Sequence, residues 1–429
     1  MSLPEGMALT ELDEGVRVIT EEVDSVRSVA LGLWVKTGSR DEAAGQEGVS
    51  HFLEHLLFKG TEDHSAIEIS ELFDGMGASF NAATSKESTH LYARVLDEHT
   101  EKTFELLSQM LLGPALPVDE VDSERQVVLE EIAMYEDEPS DRVHDYLAEA
   151  IHGDHPLGKR VLGKAEVISS IPVDEIAGYH HDRYVGPNLV VAAAGHLDHE
   201  KIVELARKLV RPPATGSNGD HGPIPERSPR LCFNDKETEQ YHICFGGPGI
   251  ARGDDRRFAL AVLESAFGGS TSSRLFREVR EKRGLAYSFG SYSEQFVDFG
   301  TVATYVGTRE ANVEEACEII GRELKLLHSG GVAGEELARA KEHVKGRMVL
   351  GMESTGGRMS RIARSTMFGL EIFSLDQMLA KIDAVEEADV AELAQELFDP
   401  ANFSAACVGA DEDRFRAAAA SVSEDLAAV

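Results

Sequence analysis

The stretch VRSVALGLWVKTG, residues 26–38, has an apolar residue at every second position in its central part. Val29, Leu31, Leu33 and Val35 are spaced in this way. Side chains two residues apart lie on the same face of a β-strand. The stretch therefore predicts a strand with one buried face.

The elements after this strand predict a sheet with antiparallel neighbours. Two short helices follow, one around His51 and one at 67–76. A strand pair comes next, ASFNAATS at 78–85 and THLYARVL at 89–96, and a helix then covers 98–112. Because only a short turn joins the two strands, we expect them to pair antiparallel.

The second half of the chain repeats this order of elements, although it shares few letters with the first. It begins with strands near Leu231 and His242, and helices, a strand pair and another helix follow at 258–267, 273–282, 285–293, 300–307 and 312–327. Each half ends with a β run, LVVAAAG at 189–195 or FSAACVG at 403–409, and a last helix. The predicted fold class is α+β, with two homologous-looking domains that are each a largely antiparallel sheet packed with helices.

A stretch rich in Pro, Gly, Ser and Asn lies near the midpoint of the chain: RPPATGSNGDHGPIPERSP, residues 211–229. This composition disfavours helices and strands and predicts an exposed linker. We therefore expect an N-terminal domain at 1–210 and a C-terminal domain at 230–429. Two domains also suit the length of 429 residues.

The chain is strongly acidic, with 76 Asp and Glu against 42 Lys and Arg and a formal net charge of −34. We expect no nucleic-acid partner, because phosphate binding requires clustered cations. The charge has two interpretations that the residues leave open. One is solubility or adaptation to salt. The other is an acidic interior that attracts cationic peptides.

The cysteines and the apolar runs bear on the compartment. Cys232, Cys244, Cys317 and Cys407 form no CxxC pair, which argues against a disulfide framework and against a thiolate zinc site. The chain has no run of about eighteen apolar residues, which a membrane span would need. Its first residues, MSLPEGMALTELDEG, lack the pattern of a signal peptide. We therefore expect a cytoplasmic protein with no membrane segment.

The segment EGVSHFLEHLLFKGT, residues 47–61, combines a buried helical stripe with metal-binding side chains. Its apolar residues recur at helical spacing, namely Val49, Phe52, Leu53, Leu56 and Leu57. His51, Glu54 and His55 project from a neighbouring strip of the same helix, in the HxxEH pattern of a catalytic zinc motif. Two imidazoles one turn apart can bind one ion, and zinc suits them better than magnesium or calcium. The alternative is two surface histidines and a glutamate on an amphipathic helix.

A catalytic zinc site usually takes three protein ligands and leaves the fourth position for water. DEVDSERQVVLEEIAMYEDEP, residues 119–139, predicts a helix on which Glu124 and Glu131 lie two turns apart along one side. Near a metal, one carboxylate would bind the ion while the other orients a ligand. The alternative is that both are ordinary solvated glutamates, because this helix is acidic throughout.

The chain resembles the pitrilysin family of zinc peptidases, in its mitochondrial-processing-peptidase-like branch. The resemblance lies in HFLEHLLFKGT and ERQVVLEEIAMYEDEPSD, and it extends through FNAATSKESTHLYARV, HPLGKRVLG and GGSTSSRLFREVREKRGLAYS. It implies that one zinc ion per chain is bound by His51, His55 and Glu131. It further implies that Glu54 is the general base and that Glu124 orients a ligand.

The resemblance also assigns roles outside the metal motif. Arg280 and Tyr287, in REVREKRGLAY, match a pair that donates hydrogen bonds to the substrate carbonyl and to the oxyanion that develops from it. Asn81 and Ala82 match the edge strand on which the family lays its peptide substrates. Taken without the resemblance, Arg280 is an exposed charge, Tyr287 a half-buried strand residue and Asn81 a turn residue.

The expected function is that of a zinc-dependent endopeptidase, with its metal site in 1–210 and the Arg/Tyr pair in 230–429. The second half keeps only the apolar pattern of the motif, in RRFALAVLESAFGG at 256–269, so we expect one metal site per chain. Members of this branch resemble one half of longer single-chain members, which implies a homodimer that closes as a clamshell with a shared active site. The alternatives are a non-catalytic structural or partner subunit of the same fold, and a zinc hydrolase acting on something smaller than a peptide.

Overall fold

The structure is a computed structural model that describes residues 3–209 and 228–428. The predicted linker at 211–229 lies outside the described residues, except for its last two. The described residues form two compact units. The first contains those within Met1–Ala133, Lys159–His221 and Val349–Leu375, and the second those within Met134–Gly158, Gly222–Met348 and Asp376–Val429.

Each unit is built on one largely antiparallel sheet. The first sheet consists of β1 (Met7–Glu11), β2 (Arg17–Glu22), β3 (Ser28–Val35), β4 (Ser79–Thr84), β5 (Thr89–Leu96) and β6 (Leu189–Gly195). The second consists of β7 (Leu231–Asp235), β8 (Tyr241–Gly249), β9 (Ala286–Gln295), β10 (Gly300–Thr308) and β11 (Ser404–Gly409). The parallel pairs among these described strands are β2 with β6 and β7 with β11.

The two sheets share one strand order. The first runs β1-β2-β6-β3-β5-β4 and the second β7-β11-β8-β10-β9, so the sheets correspond strand by strand apart from the additional edge strand β1. The strand pairs joined by short turns, β4 with β5 and β9 with β10, are also neighbours in the sheets. The predicted α+β class, with two homologous-looking domains of largely antiparallel sheet, is confirmed.

Helices pack against both sheets. In chain order they are α1 (Val49–Leu56), α2 (Ala66–Gly75), α3 (Thr100–Leu112), α4 (Val118–Glu136), α5 (Pro139–His152), α6 (Ala165–Ile168), α7 (Val173–Arg183), α8 (His199–Ala206), α9 (Arg257–Glu264), α10 (Val313–Gly330), α11 (Gly334–Gly351), α12 (Thr355–Met367), α13 (Leu375–Asp383), α14 (Glu387–Leu397) and α15 (Glu412–Val422). Within the described ranges, no helix combines the length and the apolar character that crossing a membrane would require.

One helix on each sheet comes from the opposite half of the chain. In the first unit, α12 packs Met359 and Ile362 against Trp34 and its neighbours in the sheet. In the second unit, α5 packs Val143 and Leu147 against the central strands. Each compact unit is therefore assembled from both halves of the sequence.

Strand β3 is buried on both faces, not only on the face that its alternation predicted. Leu31 and Leu33, on the predicted face, are 0–1% exposed, and Ala30 and Trp34 on the opposite face are equally buried. The opposite face is covered because α12 packs on it. A helix so distant in sequence leaves no signal in the strand itself.

Two helices predicted in the second half include wide π-helical turns. The helix predicted at 258–267 ends as α9 at Glu264 and continues as the π-helical segment Ser265–Gly269. The helix predicted at 273–282 contains a second such segment, Phe276–Glu281. Turns of this kind occur frequently at functional sites. The second segment carries Arg280.

Candidate metal centre

Helix α1 carries the HxxEH residues, and a glycine stands directly before its first residue for a steric reason. Gly48 has φ +99°, and a Cβ atom there would lie 2.7 Å from the carbonyl oxygen of Leu162. The inner stripe of the helix is 0–1% exposed and consists of Val49, Phe52, Leu53 and Leu56. His51, Glu54 and His55 therefore lie on the adjacent strip, as the spacing predicted.

His51, His55 and Glu131 bring three ligand atoms together. The two histidine Nε2 atoms are 3.3 Å apart, and Glu131 Oε2 lies 3.6 Å from the first and 3.4 Å from the second. Two atoms bound at about 2.1 Å to a tetrahedral zinc ion are about 3.4 Å apart, so the spacing and the donor atoms fit zinc. Among the described residues, no other group of three His, Cys, Asp or Glu side chains brings its ligand atoms within 4.8 Å.

Glu124 lies behind this cluster and fixes the orientation of His55. Its Oε1 atom is 2.9 Å from Nδ1 of His55, and its other oxygen contacts the ammonium group of Lys59. With the Nδ1 proton donated to Glu124, the Nε2 lone pair of His55 is left for a metal ion. Glu124 is 5% exposed, so it is not the solvated glutamate of the alternative interpretation.

The electrostatics of the cluster favour the metal-binding protonation states of His51 and Glu131, whereas at His55 they favour the charged imidazolium, whose Nε2 proton a metal ion would have to displace. Burial, together with the charge of His55, lowers the pKa of His51 to about 4. A hydrogen bond with His55 lowers the pKa of Glu131, although burial opposes this shift. Burial also lowers the pKa of His55, but hydrogen bonds with Glu131 and Glu124 outweigh burial and raise it. A neutral imidazole and an ionised carboxylate are suitable zinc ligands at neutral pH.

Glu54, which lies on α1, is mostly buried and is next to the ligand cluster. Burial raises the pKa of its carboxyl group, while a hydrogen bond from Thr84 acts in the opposite direction. A carboxyl group whose pKa is shifted toward neutrality is suited to accept a proton from water and to return it later. Because Thr84 is the last residue of β4, this bond also joins the helix to the edge of the sheet.

Asn81 and Ala82 lie on β4, which is an edge strand. Among the described strands, β4 pairs with β5 alone, so its other edge is not covered by a described strand. Asn81 is exposed and lies within the strand, not in a turn, and its side-chain oxygen accepts a hydrogen bond from the backbone N–H of Ala82. An edge of this kind can add an extended peptide by backbone hydrogen bonds.

Arg280 and Tyr287 lie together in the second unit. The guanidinium carbon of Arg280 is 4.6 Å from the ring centroid of Tyr287, a distance typical of a cation–π contact. Tyr287 is 80% exposed, so it is not the half-buried strand residue that the sequence alone suggested. The buried Glu278 holds the turn between them, since it accepts hydrogen bonds from Lys282 at 2.6 Å and Arg283 at 2.9 Å.

The sequence did not single out several residues that contact this site. Lys59 contacts Glu124, Thr84 bonds to Glu54, and Glu42 bonds to the start of α1. Lys59 follows the motif closely enough to have been noticed as a partner for an acidic residue. Thr84 and Glu42 are brought to the helix by the tertiary fold, and their sequence context carries no comparable signal.

Comparison with protein-family models places the candidate metal centre within a known domain type. Residues 17–165 match the model described as Insulinase (Peptidase family M16). Residues 170–344 match the model described as Peptidase M16 inactive domain. His51, His55 and Glu131 all fall within the first match.

Whole-chain comparisons agree with the family models. An uncharacterized zinc protease of Streptomyces coelicolor is 41% identical over 396 residues, which cover 90% of this chain and 86% of that relative. The crystal structure of a protease from Helicobacter pylori has a TM-score of 0.88 at 22% identity, covering 95% of this chain and 100% of that chain. The periplasmic protease PqqL from Escherichia coli has a TM-score of 0.79 at 20% identity, covering 99% of this chain and 50% of that chain. The chain therefore belongs to the insulinase family of peptidases, peptidase family M16.

Proposed function

We propose that the chain is a zinc-dependent endopeptidase that hydrolyses peptides or unfolded segments. The observation that supports this most directly is the spacing of the three ligand atoms of His51, His55 and Glu131, with the mostly buried carboxyl group of Glu54 beside them. The relatives named zinc proteases support zinc as the metal. We further propose one zinc ion per chain, because the described residues contain one such ligand cluster.

The proposed reaction is addition of water to a peptide bond. Zinc, when bound, would polarise the scissile carbonyl and lower the pKa of the attacking water. Glu54 would accept a proton from the water while the oxygen of that water bonds to the carbonyl carbon. The same carboxyl group would then deliver this proton to the leaving nitrogen as the C–N bond breaks. Asn81, Ala82 and the rest of β4 would hold the substrate in an extended form.

We propose that Arg280 and Tyr287 stabilise the oxyanion by donating hydrogen bonds to it. In our proposal they act in a homodimer of the mitochondrial-processing-peptidase-like branch, and each chain completes the active site of its partner. The match of this chain to 50% of the length of PqqL supports an assembly of two such lengths of chain. We propose 1–210, which carries the metal site, and 230–429, which carries the Arg/Tyr pair, as the two domains, apart from the exchange of α5 and α12 between the compact units. We also propose a cytoplasmic location.

Metal removal tests the proposed chemistry. The purified chain is expected to contain close to one zinc ion and to cleave an internally quenched peptide. A chelator should abolish cleavage, and added zinc should restore it. Metal content by mass spectrometry and fluorescence release are the two measurements. A folded chain that binds no zinc when zinc is supplied, or that cleaves equally well with the chelator, would contradict the proposal.

Subunit mixing tests the shared active site. Tyr287→Phe removes the phenolic donor and is expected to lower kcat by about 10²–10³-fold, as the loss of one oxyanion donor does. Glu54→Gln should also be inactive, for want of a general base. If the site is shared, exchange of subunits between these two inactive chains should restore activity. One of the two active sites in the mixed dimer would then combine Glu54 of one chain with Tyr287 of the other. Tyr146→Phe, a change at a half-buried tyrosine of α5, serves as the matched control. The absence of recovered activity, with subunit exchange verified, would contradict a shared site.

A further inference from the structure

The start of α1 is capped by a buried glutamate from the preceding loop. Glu42 is 6% exposed, and its two carboxyl oxygens accept hydrogen bonds from the backbone N–H groups of Gly48 at 2.8 Å and Ser50 at 2.9 Å. Gly48 itself has no side chain with which to cap the helix. Two of the N–H groups that a helix leaves unbonded at its start are therefore satisfied by one side chain.

This cap acts on the turn that carries the first candidate ligand. Ser50 immediately precedes His51, so the position of its N–H group fixes the backbone from which the imidazole projects. A second contact holds the same turn, since the Ser50 hydroxyl lies 2.8 Å from the hydroxyl of Tyr179 and the latter lies 3.0 Å from the Thr37 hydroxyl. The first turn of α1 is thus fixed by buried polar contacts in addition to its apolar stripe.

The loop that carries Glu42 is itself hydrogen-bonded to the hairpin turn that follows β4. The backbone N–H groups of Ser39 and Arg40 donate to the carbonyl oxygens of Ser85 and Lys86, at 3.1 and 2.8 Å. The Arg40 guanidinium also forms a buried ion pair of 2.8 Å with Glu87. Glu42 therefore connects the candidate metal helix to the end of the edge strand, where Thr84 bonds to Glu54.

We propose that Glu42 is a positioning residue of the metal centre, whose carboxyl group holds the first turn of α1 so that His51 stays aligned with His55 and Glu131. This inference rests on the proposed function, because it concerns the zinc site of that function. Glu42 is not one of the three clustered residues, and it acts through the backbone of Gly48 and Ser50. Its removal should therefore weaken zinc binding more than it weakens the fold.

Glu42→Gln is the appropriate substitution. Burial raises the pKa of Glu42 to about 8, although the two backbone hydrogen bonds act to lower it. In either protonation state both carboxyl oxygens can accept a hydrogen bond, whereas an amide nitrogen can accept none. The glutamine side chain would satisfy one N–H group and place its own NH₂ group against the other, so the first turn of the helix must shift.

Glu47→Gln is a matched control from the same loop. Glu47 is 7% exposed and accepts a hydrogen bond from the Gly45 backbone N–H at 2.9 Å, but it bonds to no residue of the helix. Both substitutions thus change a buried loop carboxyl group that accepts from the backbone, and Glu47 in addition pairs with Lys159 and Lys164. They differ in whether the accepted N–H belongs to the first turn of α1.

The experiment is a zinc titration of the metal-free, full-length chain against a competing chelator dye, together with thermal unfolding of the same samples. Glu42→Gln is expected to weaken zinc affinity about 10–100-fold, the range found when residues that orient metal ligands are changed. Glu47→Gln should keep the wild-type affinity. A purely structural role for Glu42 would instead lower the unfolding temperature of the metal-free chain and leave its zinc affinity unchanged, and that outcome would overturn the inference.

The outcomes also separate this inference from the proposed function. If the wild-type chain binds no zinc, the proposed function fails. If the wild type binds zinc and Glu42→Gln binds it equally well, the proposed function stands and the inference fails. Should Glu42→Gln not fold, Glu42→Asp provides the same test, because its shorter carboxylate cannot reach both N–H groups and is likewise expected to weaken zinc binding.

Discussion

Replacing Glu54 with glutamine is expected to lower kcat/KM for a peptide by about 10²–10⁴-fold, the contribution typical of a general acid–base group. Zinc binding should be retained, because Glu54 is not among the three clustered ligands. The amide cannot take a proton from water, although it keeps the size of the side chain and can still bond to Thr84. Metal content and the rate of peptide cleavage, measured on the same preparation, check both halves of this expectation.

The control for this substitution is Glu62→Gln. Glu62 is an exposed glutamate shortly after α1 in the sequence, so its change removes a carboxylate without altering the proposed chemistry. Its cleavage rate should equal that of the wild type. Glu54→Gln with near-wild-type activity would show that another group accepts the proton, and the assignment of the general base would have to be withdrawn.

Replacing Glu131 with glutamine is expected to weaken zinc affinity by more than about 100-fold, because changes to residues that only orient ligands already cost 10–100-fold. Glutamine offers a neutral oxygen in place of the ionised carboxylate that lies 3.4 and 3.6 Å from the two imidazole Nε2 atoms. Cleavage should be lost at zinc concentrations that saturate the wild type. Glu130→Gln, at the exposed neighbouring position on α4, should have no such effect.

Thermal or chemical unfolding provides an independent measurement of the same loss. Zinc at about 100 times its dissociation constant stabilises a folded chain by about 2.7 kcal/mol, and a site 100-fold weaker would give only about 0.4 kcal/mol at the same concentration. The metal-free forms of wild type and Glu131→Gln should unfold alike. Equal zinc-dependent stabilisation in both chains would contradict the role of Glu131 as a ligand.

The spacing of residues was sufficient to predict the metal helix and much of the fold. His51, Glu54 and His55 follow from local periodicity, because a helix fixes which side chains share a strip. The pairing of β4 with β5 follows from the short turn between them. Glu131 was harder to predict, since its helix is acidic throughout and residue spacing alone did not distinguish a candidate ligand from an ordinary solvated glutamate. The family resemblance made that distinction.

Contacts that depend on the tertiary fold could not be predicted in this way. Glu42 was not singled out because its loop is brought to α1 by hydrogen bonds with the hairpin after β4, which no local pattern encodes. The burial of Trp34 depends on α12, a helix from the other half of the chain. The same limit applies to the exposure of Tyr287, which the alternation of β9 could not predict.

The exchange of α5 and α12 has a consequence for how the chain can be divided. A fragment ending at the predicted linker would lack α12 and leave an apolar sheet face, including Trp34, open to water. It would also carry α5 without the second sheet, where Leu147 is 2% exposed in the intact chain. Separately produced halves should therefore be insoluble or unfolded when alone and recover native structure only when combined. Duplication of an ancestral domain followed by such an exchange would make the two halves depend on each other for folding.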